Sequence, residues 1–262
     1  MSVLVAPSNG DIAQPMSQNL IRTLQEDGVT METYATLINH FAKSSDISDH
    51  KDKMIHWFEE MRRIGTPLQT SYDDVIGAFA VDKRLKEDKD TKSMLNYVQM
   101  MKKDGLKPDL IMFTHVIRHF ALIPDTPQML FWWSELNHHE VRPDAYLYTI
   151  VINHFANNSD TKEVLNWMKK MEDEGIEPSN FTYNAVINHY ASMSDVDQTL
   201  HWVGELKSHG YAPDQVTYAA LIKVFSNHNN VDMMVKYLNE MRETGYKPHA
   251  NTVKILKKHK LA

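Results

Sequence analysis

One interval of 35 residues runs through this chain and restricts it to a stacked-repeat architecture. Pro108, Pro143, Pro178, Pro213 and Pro248 follow one another at that spacing, as do Phe113, Tyr148, Tyr183 and Tyr218. Tyr97, Trp132, Trp167, Trp202 and Tyr237 make a third ladder with the same interval. Repetition of this kind marks units that cannot bury their own apolar face and so stack on copies of themselves. Two earlier copies carry Tyr34 and Tyr72. Their longer spacings, 38 and 41 residues, place insertions around Ser44 to Lys53 and around Asp82 to Thr91.

Each copy reads as two helices. In Asn180 to Asp214, Tyr183, Val186, Ile187 and Tyr190 recur at helical spacing along one face. A polar turn at Ser192 and Ser194 follows. A second helix from about Val196 to Ser208 carries Leu200, Trp202, Val203 and Leu206. Gly210 and Pro213 then stop the chain from continuing as helix. The pattern predicts an all-α chain, an α-solenoid of helix-turn-helix repeats. Six copies are expected at residues 31–68, 69–109, 110–144, 145–179, 180–214 and 215–249. Residues 1–30 are expected to hold an extension with a capping helix at Met16 to Asp27, and residues 250–262 a capping half-repeat. Apolar residues, at 42%, suffice for such a core, and no long alternating run suggests a sheet.

The stretches TYATLINHFA and TYNAVINHYA, with the endings MKKDGLKPD, MEDEGIEPS and MRETGYKPH, resemble the pentatricopeptide repeat family over about Met31 to His249. The resemblance implies a right-handed superhelix with the first helices on its concave face. It also implies binding of single-stranded RNA, about one base per repeat. In that family the fifth residue of a repeat and its last residue read the base edge, and the second residue packs on the base. Carried over, Thr114 with Asp144 implies guanine, Thr149 with Ser179 a purine, and Asn184 with Asp214 uracil. The packing residues are then Ile111, Tyr146, Phe181 and Val216, all apolar or aromatic. These side chains are expected to project onto one continuous surface.

The outer copies depart from this pattern. Ala35 and Ala219, paired with Leu68 and His249, have no polar group to read an edge. Asp73 with Asp109 sets two carboxylates where a strand would pass, which is electrostatically unfavourable. Lysine is common in the family at the end of the first helix. Here only Lys43 supplies one; Val81, Leu122, Asn157, Ser192 and Asn227 occupy the other places.

Other residues invite a functional and a structural reading. His40, His119, His154 and His189 share one repeat position, and His115 stands four before His119. Metal binding is disfavoured for both sets. Neighbouring helices pack about 8–10 Å apart, too far for one ion to bridge readily, and no third ligand accompanies the helical pair. The Trp and Tyr ladder, begun by Trp57, is expected to fill packing between repeats, with Trp167 and Trp202 largely buried between second helices. Trp133, beside Trp132, is the extra aromatic and faces solvent or a partner. Lys254, Lys257, Lys258 and Lys260 make either a solvated cap or a phosphate contact. The run VDKRLKEDKD is expected to be a solvated loop.

Composition narrows the function classes. No cysteine is present, so thiol catalysis and Cys-based metal sites are excluded. No apolar stretch approaches the ~20 residues of a membrane span. The first 20 residues lack Arg and Lys and include Asp11, so no targeting segment is read there. A mitochondrion or plastid follows from the resemblance alone. No Gly-rich phosphate loop or nucleophile elbow occurs, and no catalytic role, metal or cofactor is expected. Two functions stay open: an RNA-binding adaptor, and a scaffold whose groove takes a protein or peptide. The net charge of -6 favours the scaffold, and the Thr/Asn–Asp pairs favour RNA.

Overall fold

A single residue closes each helical hairpin in the C-terminal half. The backbone N–H of Asp160 donates to the Phe155 carbonyl at 3.0 Å, ending one helix, while its carboxylate accepts from Glu163 N at 3.1 Å, starting the next. Asp125, Asp195 and Asn230 do the same at their hairpins. Each satisfies an orphan carbonyl and an orphan N–H at once, which permits a very short turn. The residue before three of these caps, Ser159, Ser194 or Asn229, takes a positive φ of 58°, 62° or 53°.

The computed structural model describes residues 30–43, 50–80 and 88–261. The expected capping helix at Met16 to Asp27 and most of both insertions lie outside the described residues. Thirteen helices and no strand are found among the described residues. They are α1 (Met31–Lys43), α2 (His50–Ile64), α3 (Gln69–Ala80), α4 (Asp88–Lys103), α5 (Leu110–Leu122), α6 (Thr126–His138) and α7 (Ala145–Asn157). There follow α8 (Thr161–Asp173), α9 (Asn180–Ser192), α10 (Val196–Ser208), α11 (Gln215–Asn227), α12 (Val231–Glu243) and α13 (Ala250–Lys258). No helix among the described residues is long and apolar enough to cross a membrane. The chain divides into two compact units, Met1–Val116 and Ile117–Ala262.

In the first unit α1 packs on α2 and α3, and α3 on α4. Tyr72 of α3 is fully buried against Phe58 of α2, edge to face at 4.9 Å. Its hydroxyl donates to Asp104, which also lies 3.6 Å from Arg62. Part of each insertion is helical: α2 has 15 residues and α4 has 16, against 13 in α8. The added turns are tied by Lys51 to Asp90 at 2.9 Å, so Asp90 is ion-paired rather than part of a free loop.

In the second unit α7, α9 and α11 pack side by side, each backed by its partner α8, α10 or α12, and α13 packs on α11. Second helices end on a left-handed residue: Gly175, Gly210 and Gly245 have φ of 68°, 82° and 84°. At the matching place after α6 the residue is Glu140, at φ 56°. Asp144, Ser179 and Asp214 then cap α7, α9 and α11 through Leu147 N, Thr182 N and Thr217 N.

The aromatic ladder packs both within its own helix pair and against the preceding second helix, as Tyr97 does on Phe58 at 5.4 Å and Trp167 on Trp133 at 4.7 Å. The ring of Trp167 stacks on Phe155 of its own pair at 6.3 Å, and Tyr237 stacks likewise on Phe225 at 5.6 Å. Trp167 is buried, whereas Trp202 is only half-buried. Trp133 corrects the sequence expectation. It is 4% exposed, edge to face with both Tyr148 and Trp167, and Lys170 lies 5.0 Å from its ring. It stands at the repeat position filled elsewhere by Phe58, Met168, Val203 and Leu238, all buried, so it is the largest member of a core column.

Candidate functional site

A helix that buries Tyr183, Val186, Ile187 and Tyr190 must turn residue 181 outward, since two residues earlier is about 200° round the helix. Phe181 is accordingly 75% exposed. Ile111, Tyr146 and Val216, the second residues of α5, α7 and α11, are 53%, 53% and 44% exposed. Large apolar side chains left in water at one repeat position form an unpartnered apolar column, present in the second unit at Tyr146, Phe181 and Val216.

The polar column beside it differs from expectation. Thr114 is half-buried, but Thr149 and Asn184 are buried rather than projecting. They sit one residue past the buried tyrosine, about 100° round, at the seam with the next first helix. Asn184 donates from Nδ2 to the Asp214 carboxylate at 3.0 Å and accepts from the Thr217 hydroxyl at 2.7 Å. Asp214 also accepts from Asn180 at 2.9 Å and from the N–H groups of Val216 and Thr217. The Thr149 hydroxyl donates to the Ala145 carbonyl and meets the Thr182 hydroxyl at 2.7 Å; Thr182 in turn meets Ser179 at 3.0 Å. Asn184 and Asp214 are thus joined directly, and Thr149 and Ser179 through Thr182. Asp144 is an exposed cap of α7.

Asp73 occupies the same column in the first unit. It is 5% exposed and its Oδ1 has no hydrogen-bond partner. Burial, then the nearby Asp109 and Asp74 charges, push its carboxyl up to about 7, against a smaller lowering by a Gln69 hydrogen bond. Asp109 caps α5 at Met112 N, and Asp74 accepts from Asn39 Nδ2 at 2.8 Å. Ala35 and Ala219 are half-buried, Leu68 is exposed, and His249 caps α13. Lys43 is exposed at the end of α1.

The histidine column is a set of cross-links. His154 takes the Ala121 carbonyl on Nδ1 at 3.2 Å and the Thr126 hydroxyl on Nε2 at 2.7 Å. His189 repeats this with Ala156 at 3.2 Å and Thr161 at 2.9 Å. Both nitrogens of each ring are thus committed, Nδ1 donating to the carbonyl, and the ring fastens a first helix to the preceding pair. His119 is fully buried. His115 packs over Gly77, where a Cβ would fall 2.8 Å from the imidazole and would require the ring to shift. The periodicity of the histidines was visible in the sequence; the threonine partners, 28 residues earlier, follow only from the packing.

Stacked helix pairs of this kind, with one exposed apolar column along the first helices, define an all-α solenoid of helical repeats. The PPR repeat family matches residues 143–192 and 180–227, and a PPR repeat matches residues 216–246. Residues 143–246 therefore carry pentatricopeptide repeats. No curated protein matches it. The solved pentatricopeptide repeat protein PPR10 from maize superposes with a TM-score of 0.54 at 17% identity, covering 95% of this chain and 46% of that one. PPR10 in complex with an 18-nt psaJ RNA element gives 0.55 at 18% identity, over 90% of this chain and 38% of that one. The PPR domain of Arabidopsis thaliana protein-only RNase P 1 (PRORP1) in complex with tRNA gives 0.51 at 16%, over 64% of this chain and 89% of that one. The chain spans less than half the length of PPR10, and at these identities the likeness concerns the fold.

Proposed function

We propose that this protein is an adaptor that binds a short single-stranded RNA segment through its first helices and has no chemistry of its own. The observation that carries this is the exposed column Tyr146, Phe181 and Val216, with Ile111 in the same repeat place, beside the hydrogen-bonded polar column. Apolar side chains facing water offer stacking surfaces to bases, and each base–aromatic stack contributes roughly 1–3 kcal/mol. Base edges would meet the adjoining seams, where Thr149 and Asn184 would have to exchange a present hydrogen bond for one to the base. The RNA-bound PPR10 and PRORP1 domain share the fold. The proposed array occupies residues 31–249, with 1–30 and 250–262 as its flanks.

The proposed reading of the sequence pairs is guanine for Thr114 with Asp144, as the resemblance implies, and, within the second unit, a purine for Thr149 with Ser179 and uracil for Asn184 with Asp214, read 5′ to 3′ along the chain. A protein or peptide in the same groove is the second reading, favoured by the net charge of -6. Fluorescence anisotropy with a panel of short labelled RNAs at two salt concentrations tests the choice. Binding that prefers the G-purine-U series supports RNA. Absence of binding at low salt turns the assignment to a protein ligand.

A further inference from the structure

Helix α13 is seated as a first helix. Its cap, His249, has extended backbone at φ -81° and ψ 170°, like Asp144, Ser179 and Asp214. Thr252 Oγ1 lies 3.0 Å from His249 Nδ1, in the place Thr182 and Thr217 take toward their caps. His259, two periods beyond His189, meets Ser226 of α11 at 2.9 Å. This register places Asn251 in the column of Tyr146, Phe181 and Val216, Lys254 in the column of Thr149 and Asn184, and Lys258 in line with Lys223 of α11.

The chemistry of both columns therefore changes at α13. The stacking place becomes a short polar amide, and the edge-reading place an ammonium. Lys254, Lys257 and Lys258 stand at i, i+3 and i+4, on one exposed face. Such like charges repel, yet residues 244–262 contain five lysines and no Asp or Glu to offset them, in a chain of net charge -6. Ammonium groups in a segment that supplies no carboxylate of its own suit an anion supplied from outside. A lysine is a compact point charge that suits phosphate and carries no sequence information.

We infer that α13 is a backbone clamp, in which Lys254, Lys257 and Lys258 hold phosphates of the RNA strand beyond the last base that the groove reads, without contacting a base. This rests on the RNA reading and strand direction above, which set the clamp at the 3′ side. It gives the array an electrostatic contribution that its first helices otherwise mostly lack.

The test uses the full chain and an RNA that covers only the proposed site. The same RNA is extended by two nucleotides at the 3′ or the 5′ end, each extension made with bases or abasic. The 3′ extension should tighten binding about tenfold, equally with or without bases, and steepen the slope of log affinity against log salt by roughly 0.7 per phosphate held. Replacing Lys254, Lys257 and Lys258 together by Gln should abolish both gains and leave the unextended strand unaffected. Gln has nearly the helix propensity of Lys, and the matching Arg variant should retain the gains. The clamp is overturned by a gain that needs bases, by equal gains at both ends, or by a Gln variant with the wild-type salt slope. If the unextended strand binds well but no extension matters, the clamp alone falls. If no RNA binds the wild-type chain at low salt, the RNA reading falls and takes the clamp with it.

Discussion

Asn184 on α9 donates its amide to Asp214 at the start of α11, 3.0 Å away, so the side chain proposed to read a base also fastens neighbouring helix pairs. The same amide oxygen accepts from Thr217. Asp214 thus sets the orientation of Asn184: the carboxylate fixes which end of the amide is the donor. A change at residue 184 therefore acts on recognition and packing together.

Replacing Asn184 by Thr should move the third base preference from uracil toward guanine, because Thr with Asp214 recreates the Thr114–Asp144 pair. The seam accepts threonine, as Thr149 shows by bonding to the Ala145 carbonyl and to Thr182. The loss of one direct hydrogen bond to Asp214 should cost about 1 kcal/mol of stability. Anisotropy with paired G and U oligonucleotides checks the preference. An unchanged ranking would remove Asn184 from the reading role.

Asp73 should make the first unit sensitive to pH. Its folded value, about 7, lies above the ordinary 3.8, so the fold prefers the neutral acid. The associated stability is fully present below about pH 4 and declines as pH rises through 7. Asp73→Asn should therefore stabilise the protein by about 1–3 kcal/mol at pH 8, because it removes a buried negative charge that Asp109 and Asp74 oppose. Urea midpoints should converge toward those of the wild type as the pH falls to 4.

Glu140 holds a left-handed backbone where Gly175, Gly210 and Gly245 stand in the other second-unit copies. Glu140→Gly should raise stability by about 0.5–1 kcal/mol, the relief of left-handed strain less the added freedom of the unfolded glycine. A higher midpoint with an unchanged denaturant slope is expected. A lower midpoint would show that other contacts of Glu140 outweigh the strain.

Trp133→Ala should destabilise by about 3–5 kcal/mol, since it opens a cavity between Tyr148 and Trp167. Trp202→Ala should cost less, because its ring is half-exposed. Chemical denaturation of the two variants side by side gives the order. The reverse order would contradict the burial seen here.

What the sequence by itself determined was everything carried by spacing and local chemistry. The 35-residue ladders, the polar turn at Ser192 and Ser194, and the stop at Gly210 and Pro213 define helix pairs and their stacking. These depend on residues a few positions apart, where helical geometry alone decides which face is shared. The outward column of Tyr146, Phe181 and Val216 was legible for the same reason. The seams were not. Whether Thr149 and Asn184 project or lie buried, whether Asp73 keeps its charge, and whether Trp133 meets water or Trp167 depend on side chains roughly 30 residues away, brought within hydrogen-bond or ring contact by stacking. A period indicates that two positions are equivalent; only tertiary packing sets how closely the neighbouring helix approaches them, and that distance decides burial, hydrogen bonding and charge.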